Sequence, residues 1–348
     1  MTILCDICDP IIFRAMKKFN VTLLFLFFSL IGFSQESLFP VVEKGKYGYI
    51  NKNGEMLIAP QFEFAESFSE GLASVTKNDK RGFINYKGEM VIPATFEKTT
   101  PFSEGLASGK TNGQWSYFDK SGKVLFQPTC NYAYKFSNGL ARLQVGKKMA
   151  FIDKKGDIVI APEFEGAYDF SESLARVKRG GKWGYIDKNG KTIIDFLYDD
   201  CFDFKEGFAN VRKGDEITGK WGFINKNGKE VIDFTYDRAW PFSEGLALIR
   251  VGNFKNGKYG YINTSGAVII AATFLGGDYF QDGLACVSLS AQNSTFQFID
   301  KTGAIVINKN FKYLCMFKNG LAKTTSNDLK SGYSYGYINK KGTYIWPK

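Results

Sequence analysis

A short aromatic segment, Trp/Tyr-Gly-Tyr/Phe-Ile, returns along most of the chain, and that recurrence constrains the fold more than any other feature. Clear copies stand at Tyr47-Gly48-Tyr49-Ile50, Arg81-Gly82-Phe83-Ile84, Trp183-Gly184-Tyr185-Ile186, Trp221-Gly222-Phe223-Ile224, Tyr259-Gly260-Tyr261-Ile262 and Tyr335-Gly336-Tyr337-Ile338. Degenerate copies at Trp115-Ser116-Tyr117-Phe118, Met149-Ala150-Phe151-Ile152 and Phe296-Gln297-Phe298-Ile299 fill the gaps. Successive copies are 34, 34, 34, 34, 38, 38, 37 and 39 residues apart. A period in this range means one supersecondary unit stacked on itself, so the fold follows from the unit.

Each copy leads into the same turn. Three residues after the Gly position stands Asn or Asp (Asn51, Asn85, Asp119, Asp153, Asp187, Asn225, Asn263, Asp300, Asn339), and three residues later a Gly, from Gly54 to Gly342. Asx followed by Gly at that spacing is the signature of a type I turn closed by a left-handed Gly, the kind that joins a short hairpin with a bulge. The turn Gly is invariant, as a positive φ requires. The aromatic-segment Gly is replaced by Ser116, Ala150 and Gln297, which points instead to close packing of a ring or strand over bare backbone.

After the turn comes a strand with two adjacent apolar residues, such as Leu57-Ile58, which predicts that both its faces are covered. A bend follows, then Phe-Ser-Glu-Gly-Leu-Ala, as at Phe68 and Phe242. Its Phe and Ala recur in every unit and read as interlocking core layers. The unit is therefore three short strands without a helix, and eight units cover residues 43–348 with half a hairpin left over. This predicts an all-β tandem repeat stacked as an open, curved β-solenoid or superhelix. A closed ring or β-propeller is the alternative, favoured by chain ends that look like ordinary repeats without polar caps.

Residues 16–35 read as a secretory signal: Lys17 and Lys18 precede a 13-residue apolar run at 21–33, shorter than the roughly 20 residues of a spanning helix. Residues 1–15 precede a better start at Met16 and read as an extension that is untranslated or disordered. No Cys follows the apolar run, which argues against a lipid anchor, and Cys5-x-x-Cys8 lacks the second pair a metal site needs. Removing residues 1–35 leaves 42 basic and 33 acidic side chains, a net +9 with the signs interspersed. Such a charge favours anionic partners, glycans or membrane surfaces, and export makes nucleic acid the wrong target.

The repeats at Lys182-Trp183-Gly184-Tyr185-Ile186-Asp187-Lys188-Asn189-Gly190 and Lys220-Trp221-Gly222-Phe223-Ile224 resemble the bacterial WG (KWG) repeat family, across nearly all of the chain after residue 43. It departs from the pattern at Ser116, Ala150 and Gln297 and where Tyr or Phe replaces Trp. The resemblance implies a β-rich, often exported repeat protein with an interaction role and no established enzymatic activity. It carries over no functional residues.

The chain has no His, which removes the commonest general base and metal ligand. Its carboxylates recur at turn positions, so neither catalysis nor a cofactor or metal is expected. Cys130 and Cys201 fill slots held elsewhere by aromatic and by small residues and read as core; Cys286 and Cys315, in neighbouring units, are the candidates for a disulfide. The turn lysines Lys52, Lys120, Lys154, Lys188, Lys226, Lys301 and Lys340 read either as solubilising residues or as a basic edge for a polyanion. Two features break the repetition. Twelve residues after the turn Gly, four consecutive units carry Tyr134, Tyr168, Phe202 and Trp240, an aromatic stripe suited to a sugar or a partner chain. The last four units lengthen at one place, near residues 213–219, 252–257, 288–295 and 324–332, putting Lys213, Asn253, Asn293 and Asn327 on one edge. Together they predict a scaffold that binds an envelope or extracellular protein, with an anionic glycan or cell-wall carbohydrate as the alternative ligand.

Overall fold

The computed structural model describes residues 37–290, 295–311, 316–325 and 335–347. The signal segment, Cys5, Cys8, Cys315, Asn293 and Asn327 lie outside the described residues, and with Cys315 the disulfide expectation does too.

The described residues form nine small antiparallel sheets, each a simple meander. Sheet 1 (residues 39–62) has three strands; sheets 2 to 9 begin at residues 64, 98, 132, 166, 200, 238, 276 and 317 and have four. In sheet 6 the strands are Asp200–Cys201, Phe208–Lys213, Lys220–Asn225 and Glu230–Tyr236. This corrects the three-stranded unit. The strand after each Asx-Gly turn is bent: in Met56–Phe62 and Phe64–Ala65 a single residue, Glu63, separates a part that ends sheet 1 from a part that opens sheet 2.

The open solenoid is corrected as well, because the first and last sheets meet. At every internal junction the turn Gly lies against an apolar residue of the preceding sheet: Gly88 on Ile58, Gly156 on Phe126, Gly228 on Ile194, Gly303 on Ile270. Gly54 of sheet 1 makes the same contact with Ile345 of sheet 9. Phe39, Val41 and Ile50 share a buried cluster with Leu321, Tyr335, Tyr337 and Trp346, and the Tyr335 and Tyr337 hydroxyls donate to the Pro40 carbonyl at 3.2 and 3.1 Å. The ring is closed: a nine-bladed β-propeller.

The core lies between successive blades. The recurring Phe packs edge-on against the aromatic residue that follows the aromatic-segment Gly of the preceding blade, with centroids 4.9 Å apart for Phe151–Phe170, Tyr185–Phe204 and Tyr261–Phe280. Where that partner is Tyr, its hydroxyl reaches a carbonyl of the next blade, as Tyr185 does to Phe202 at 2.7 Å. Close packing explains the aromatic-segment Gly: a Cβ on Gly222 would stand 2.7 Å from the Ile232 carbonyl oxygen, where the bulged fourth strand crosses it. The expectation that the Leu57-Ile58 strand is covered on both faces fails. Ile58 is buried and Leu57 is 50% exposed, because this last strand of the sheet has only its inner face packed.

The Ser and Glu of Phe-Ser-Glu-Gly clasp neighbouring blades. Ser69, Ser103, Ser137 and Ser171 each donate, at 2.7 Å, to the carbonyl of the next blade's Phe. Glu70 accepts from the Glu104 and Gly105 amides at 2.6 and 2.9 Å and pairs with Lys120 at 3.3 Å. Lys154–Glu104, Lys226–Glu172 and Lys301–Glu244 repeat the pairing, so four of the turn lysines are committed to inter-blade contacts. Each such Glu sits at positive φ, 51° at Glu70 and 54° at Glu206, ahead of a positive-φ Gly (Ser173 after Glu172) in a turn that usually prefers Asn-Gly. The inter-blade hydrogen bonds offset the backbone strain of a side chain in that region.

Burial alone would raise the carboxyls of Glu70 and Glu172, but the amide donors and the lysine ammonium outweigh it and hold both below the usual Glu range. A carboxylate depressed in the folded state stabilises above its unfolded pKa of about 4.3, and loses that contribution as pH falls through the lower folded value. Urea midpoints are therefore expected to hold from pH 7 to about 5 and fall below about 4, with a shallower acid limb in Glu70→Gln/Glu172→Gln. An acid limb of unchanged slope in the double variant would remove the clasps from the account.

Candidate binding cleft

The stripe position lies within the first strand in sheets 4 and 7 and just after it in sheets 5 and 6, opposite a residue of the second strand. Across blades 4 to 6 it is interleaved with arginines. The Arg142 guanidinium lies 3.9 Å from the Tyr134 ring and 5.5 Å from Tyr168; that of Arg176 lies 3.4 Å from Tyr168 and 5.4 Å from Phe202. Each arginine also pairs with an aspartate of the next blade, Arg142 with Asp169 at 2.6 Å and Arg176 with Asp203 at 2.7 Å, and donates to a carbonyl there, of Ala167 and Cys201 respectively. Both arginines are about nine-tenths buried. One face of Tyr134 and of Tyr168 is thus occupied from within the protein.

The ladder ends at Trp240. Its second-strand positions in blades 6 and 7 are Asn210 and Leu248, and Asn210 binds the Ala239 carbonyl at 2.8 Å instead. Trp240 packs on Tyr259 and Phe202 on Trp221, each at 5.6 Å between centroids, with Arg238 between the pairs, 5.1 Å from Trp221 and 5.7 Å from Trp240.

Two of the lengthened loops rise beside these rings, and both are folded the same way. In the blade 6 loop the Asp215 carboxylate accepts from the Ile217 and Thr218 amides and the Thr218 hydroxyl; in the blade 7 loop Asn253 accepts from the Lys255 and Asn256 amides. The Thr218 hydroxyl first, then these amides, hold the Asp215 carboxyl at about 2. A self-capped turn is pre-ordered, and each presents one large apolar side chain to water: Ile217 is 90% exposed and Phe254 89%. Between them lies a cleft of 770 Å³ walled by Trp221, Trp240 and Tyr259, with Arg238 and Arg250 also lining it. Trp240 also lines a second cleft of 620 Å³, with Phe202, Lys205 and Asp278, whose carboxyl is raised by burial.

Of the residues singled out in the sequence, Trp240 and Asn253 therefore meet at one cleft. Phe202 lines its neighbour, Tyr134 and Tyr168 belong to the arginine ladder, and Lys213 is paired with Glu230 and lies 4.2 Å from the Phe234 ring. The arginines were missed. They occupy strand positions that hold Ser74, Ser108 or Cys286 in other blades, so only their alternation with the aromatics across the register could have signalled them.

The profile of the WG containing repeat matches residues 47–80, 82–115, 115–148, 149–183, 183–216, 221–253, 259–290 and 298–329. The chain belongs to the WG repeat family. No curated protein matches this WG repeat chain in sequence. Among solved structures it is similar to KlHsv2 with loop 6CD replaced by a Gly-Ser linker, at 8% identity and a TM-score of 0.40 over 79% of this chain and 96% of that one. It is also similar to Hsv2 of Kluyvelomyces marxianus (8%, 0.40, 64% and 86%) and to the tricorn protease (12%, 0.32, 80% and 34%).

Proposed function

We propose that this WG repeat protein is an exported, non-catalytic scaffold that binds another protein in the bacterial envelope or outside the cell, through the edge carrying the lengthened loops. The observation that carries the reading is the pair of exposed apolar tips, Ile217 and Phe254, held on pre-ordered turns on either side of an aromatic-walled cleft. Large apolar side chains around a concave aromatic centre are the usual make-up of a protein-binding hot spot. The apolar run at 21–33 behind Lys17 and Lys18 supports export. The non-catalytic reading rests on the absence of His and on the cysteines. Burial pushes the Cys130 thiol up to about 11 and Cys201 to about 12, so neither is a thiolate at neutral pH.

Cross-linking on intact cells, with affinity capture of the full chain and mass spectrometry, tests both halves. A partner from the envelope or the medium is expected, enriched at least about tenfold less by Ile217→Asp/Phe254→Asp. Capture of cytosolic partners alone would sink the export half. Undiminished enrichment by the folded double variant would sink the loop-edge half.

A further inference from the structure

The cleft has an electrostatic peculiarity that the repeat does not explain. In sheets 2 to 8 the first residue of the first strand faces a fixed position on the second. Five of these pairs are Phe64 and Thr76, Tyr132 and Gln144, Gly166 and Lys178, Asp200 and Arg212, Gly276 and Ser288. In blade 6 a carboxylate faces the arginine. In blade 7 the carboxylate is replaced, and Arg238 stands directly opposite Arg250. Like charges in direct cross-strand register are destabilising. Blade 3 has the like pair Lys98 and Lys110, but Lys98 is exposed to solvent.

Asp237 attracts Arg250 through space, but no carboxylate among the described residues is paired with either arginine. Among the described residues neither Arg238 nor Arg250 makes an ion pair within 4.0 Å, and the Arg250 Nε is buried without a hydrogen-bond partner. Arg212 has orphan nitrogens too, but Asp200 faces it. The nearest acid in blade 7, Asp237, has one oxygen on the Lys220 ammonium and the other on the Gly252 amide, both at 2.7 Å. Arg238, Arg250 and Lys255 line the cleft together with Glu216 and Asp237, and Lys220 already pairs with Asp237, so positive charge is in excess there. Trp221 and Trp240 flank Arg238 and restrict water around it, which strengthens any charge interaction made there.

Resting on the interaction reading above, we propose that this cleft receives an acidic peptide segment of the partner. A carboxylate of the segment enters between Arg238 and Arg250, and a neighbouring apolar side chain rests on Ile217 and Phe254. Two planar guanidinium forks suit a carboxylate, which can accept two parallel N–H bonds from one of them. Charge complementarity names the acid, and the apolar rim names a peptide: an Ile and a Phe nine-tenths in water offer nothing to the hydroxyl groups of an acidic saccharide.

The test is fluorescence anisotropy of the full chain with a labelled peptide alternating Glu and Phe, beside its Gln–Phe counterpart, with polygalacturonate as competitor. The Glu–Phe peptide is expected to bind at least about tenfold more tightly than the Gln–Phe peptide, a preference that Arg250→Gln and Arg238→Gln each remove. Arg179→Gln, which deletes the same charge in blade 5, should leave it intact. Unchanged melting of at least one cleft variant excludes unfolding as the cause. Equal binding of the two peptides, no binding of either, or binding of polygalacturonate alone would each overturn the acidic-peptide assignment. Should cell-surface capture depend on Ile217 and Phe254 but not on Arg238 or Arg250, the acidic segment falls while the interaction reading stands.

Discussion

Phe204→Ala is expected to lower the stability of the whole ring by about 3–5 kcal/mol, the usual cost of emptying a fully buried Phe site. Phe204 has no exposed surface and packs edge-on against Tyr185 of the preceding blade at 4.9 Å. Its carbonyl accepts from the Ser171 hydroxyl at 2.7 Å, so the residue holds blade 5 to blade 6 through both side chain and backbone. The cavity cannot close easily, because Ala209, Val211 and Cys201 around it are small and already packed. Urea denaturation with a two-state fit measures the loss, and a change under about 1 kcal/mol would show that the Phe column is not what joins the blades. Ser171→Ala should cost only about 0.5–1.5 kcal/mol by comparison, the net worth of one hydrogen bond. The apolar contact, not the clasp, therefore dominates the junction.

How much of this was legible in the sequence depended on how far each signal reached along the chain. The Asx-Gly turns and the Phe column repeat within one unit, and Gly54 to Gly342 all take positive φ as their invariance required. The replacements at Ser116, Ala150 and Gln297 mark the aromatic-segment Gly as closely packed, and the carbonyl of Ile232 over Gly222 supplies the reason. The four-stranded blade was not legible. One bent run of chain, 56–65, ends one sheet and opens the next, and no break in composition marks Glu63 as the bend. The clasp was hidden because the partners of Ser69 and Glu70 lie 33 to 35 residues away, where their spacing merges with the repeat period itself. The loops were legible as an edge, but not the cleft. That required knowing that Arg238 faces Arg250, a matter of register that a one-residue slip would invert.

Closure was legible only as the alternative to an open stack, since a ring and a spiral differ only in the sum of small rotations between identical junctions. It is also the property with the sharpest test. Gly54→Val is expected to destabilise the protein strongly, and Gly207→Val only moderately. Both glycines have positive φ, 79° and 86°, so both variants carry the strain of a β-branched residue in the left-handed region, about 1–3 kcal/mol. They differ in what surrounds them. Nothing lies within 4 Å of a Cβ on Gly207, whereas a Cβ on Gly54 would overlap the Ile345 carbonyl oxygen, almost three hundred residues away in the sequence. That contact is backbone and can yield only if blade 1 parts from blade 9, which adds an overpacking cost of about 1–3 kcal/mol. It would also disturb the Tyr335 and Tyr337 hydrogen bonds to Pro40. In an open stack Gly54 would face solvent at a free end, and the two variants would melt together. Comparing their urea midpoints with the wild type decides between the two: a lower midpoint for Gly54→Val requires the closed ring, and equal midpoints would open it.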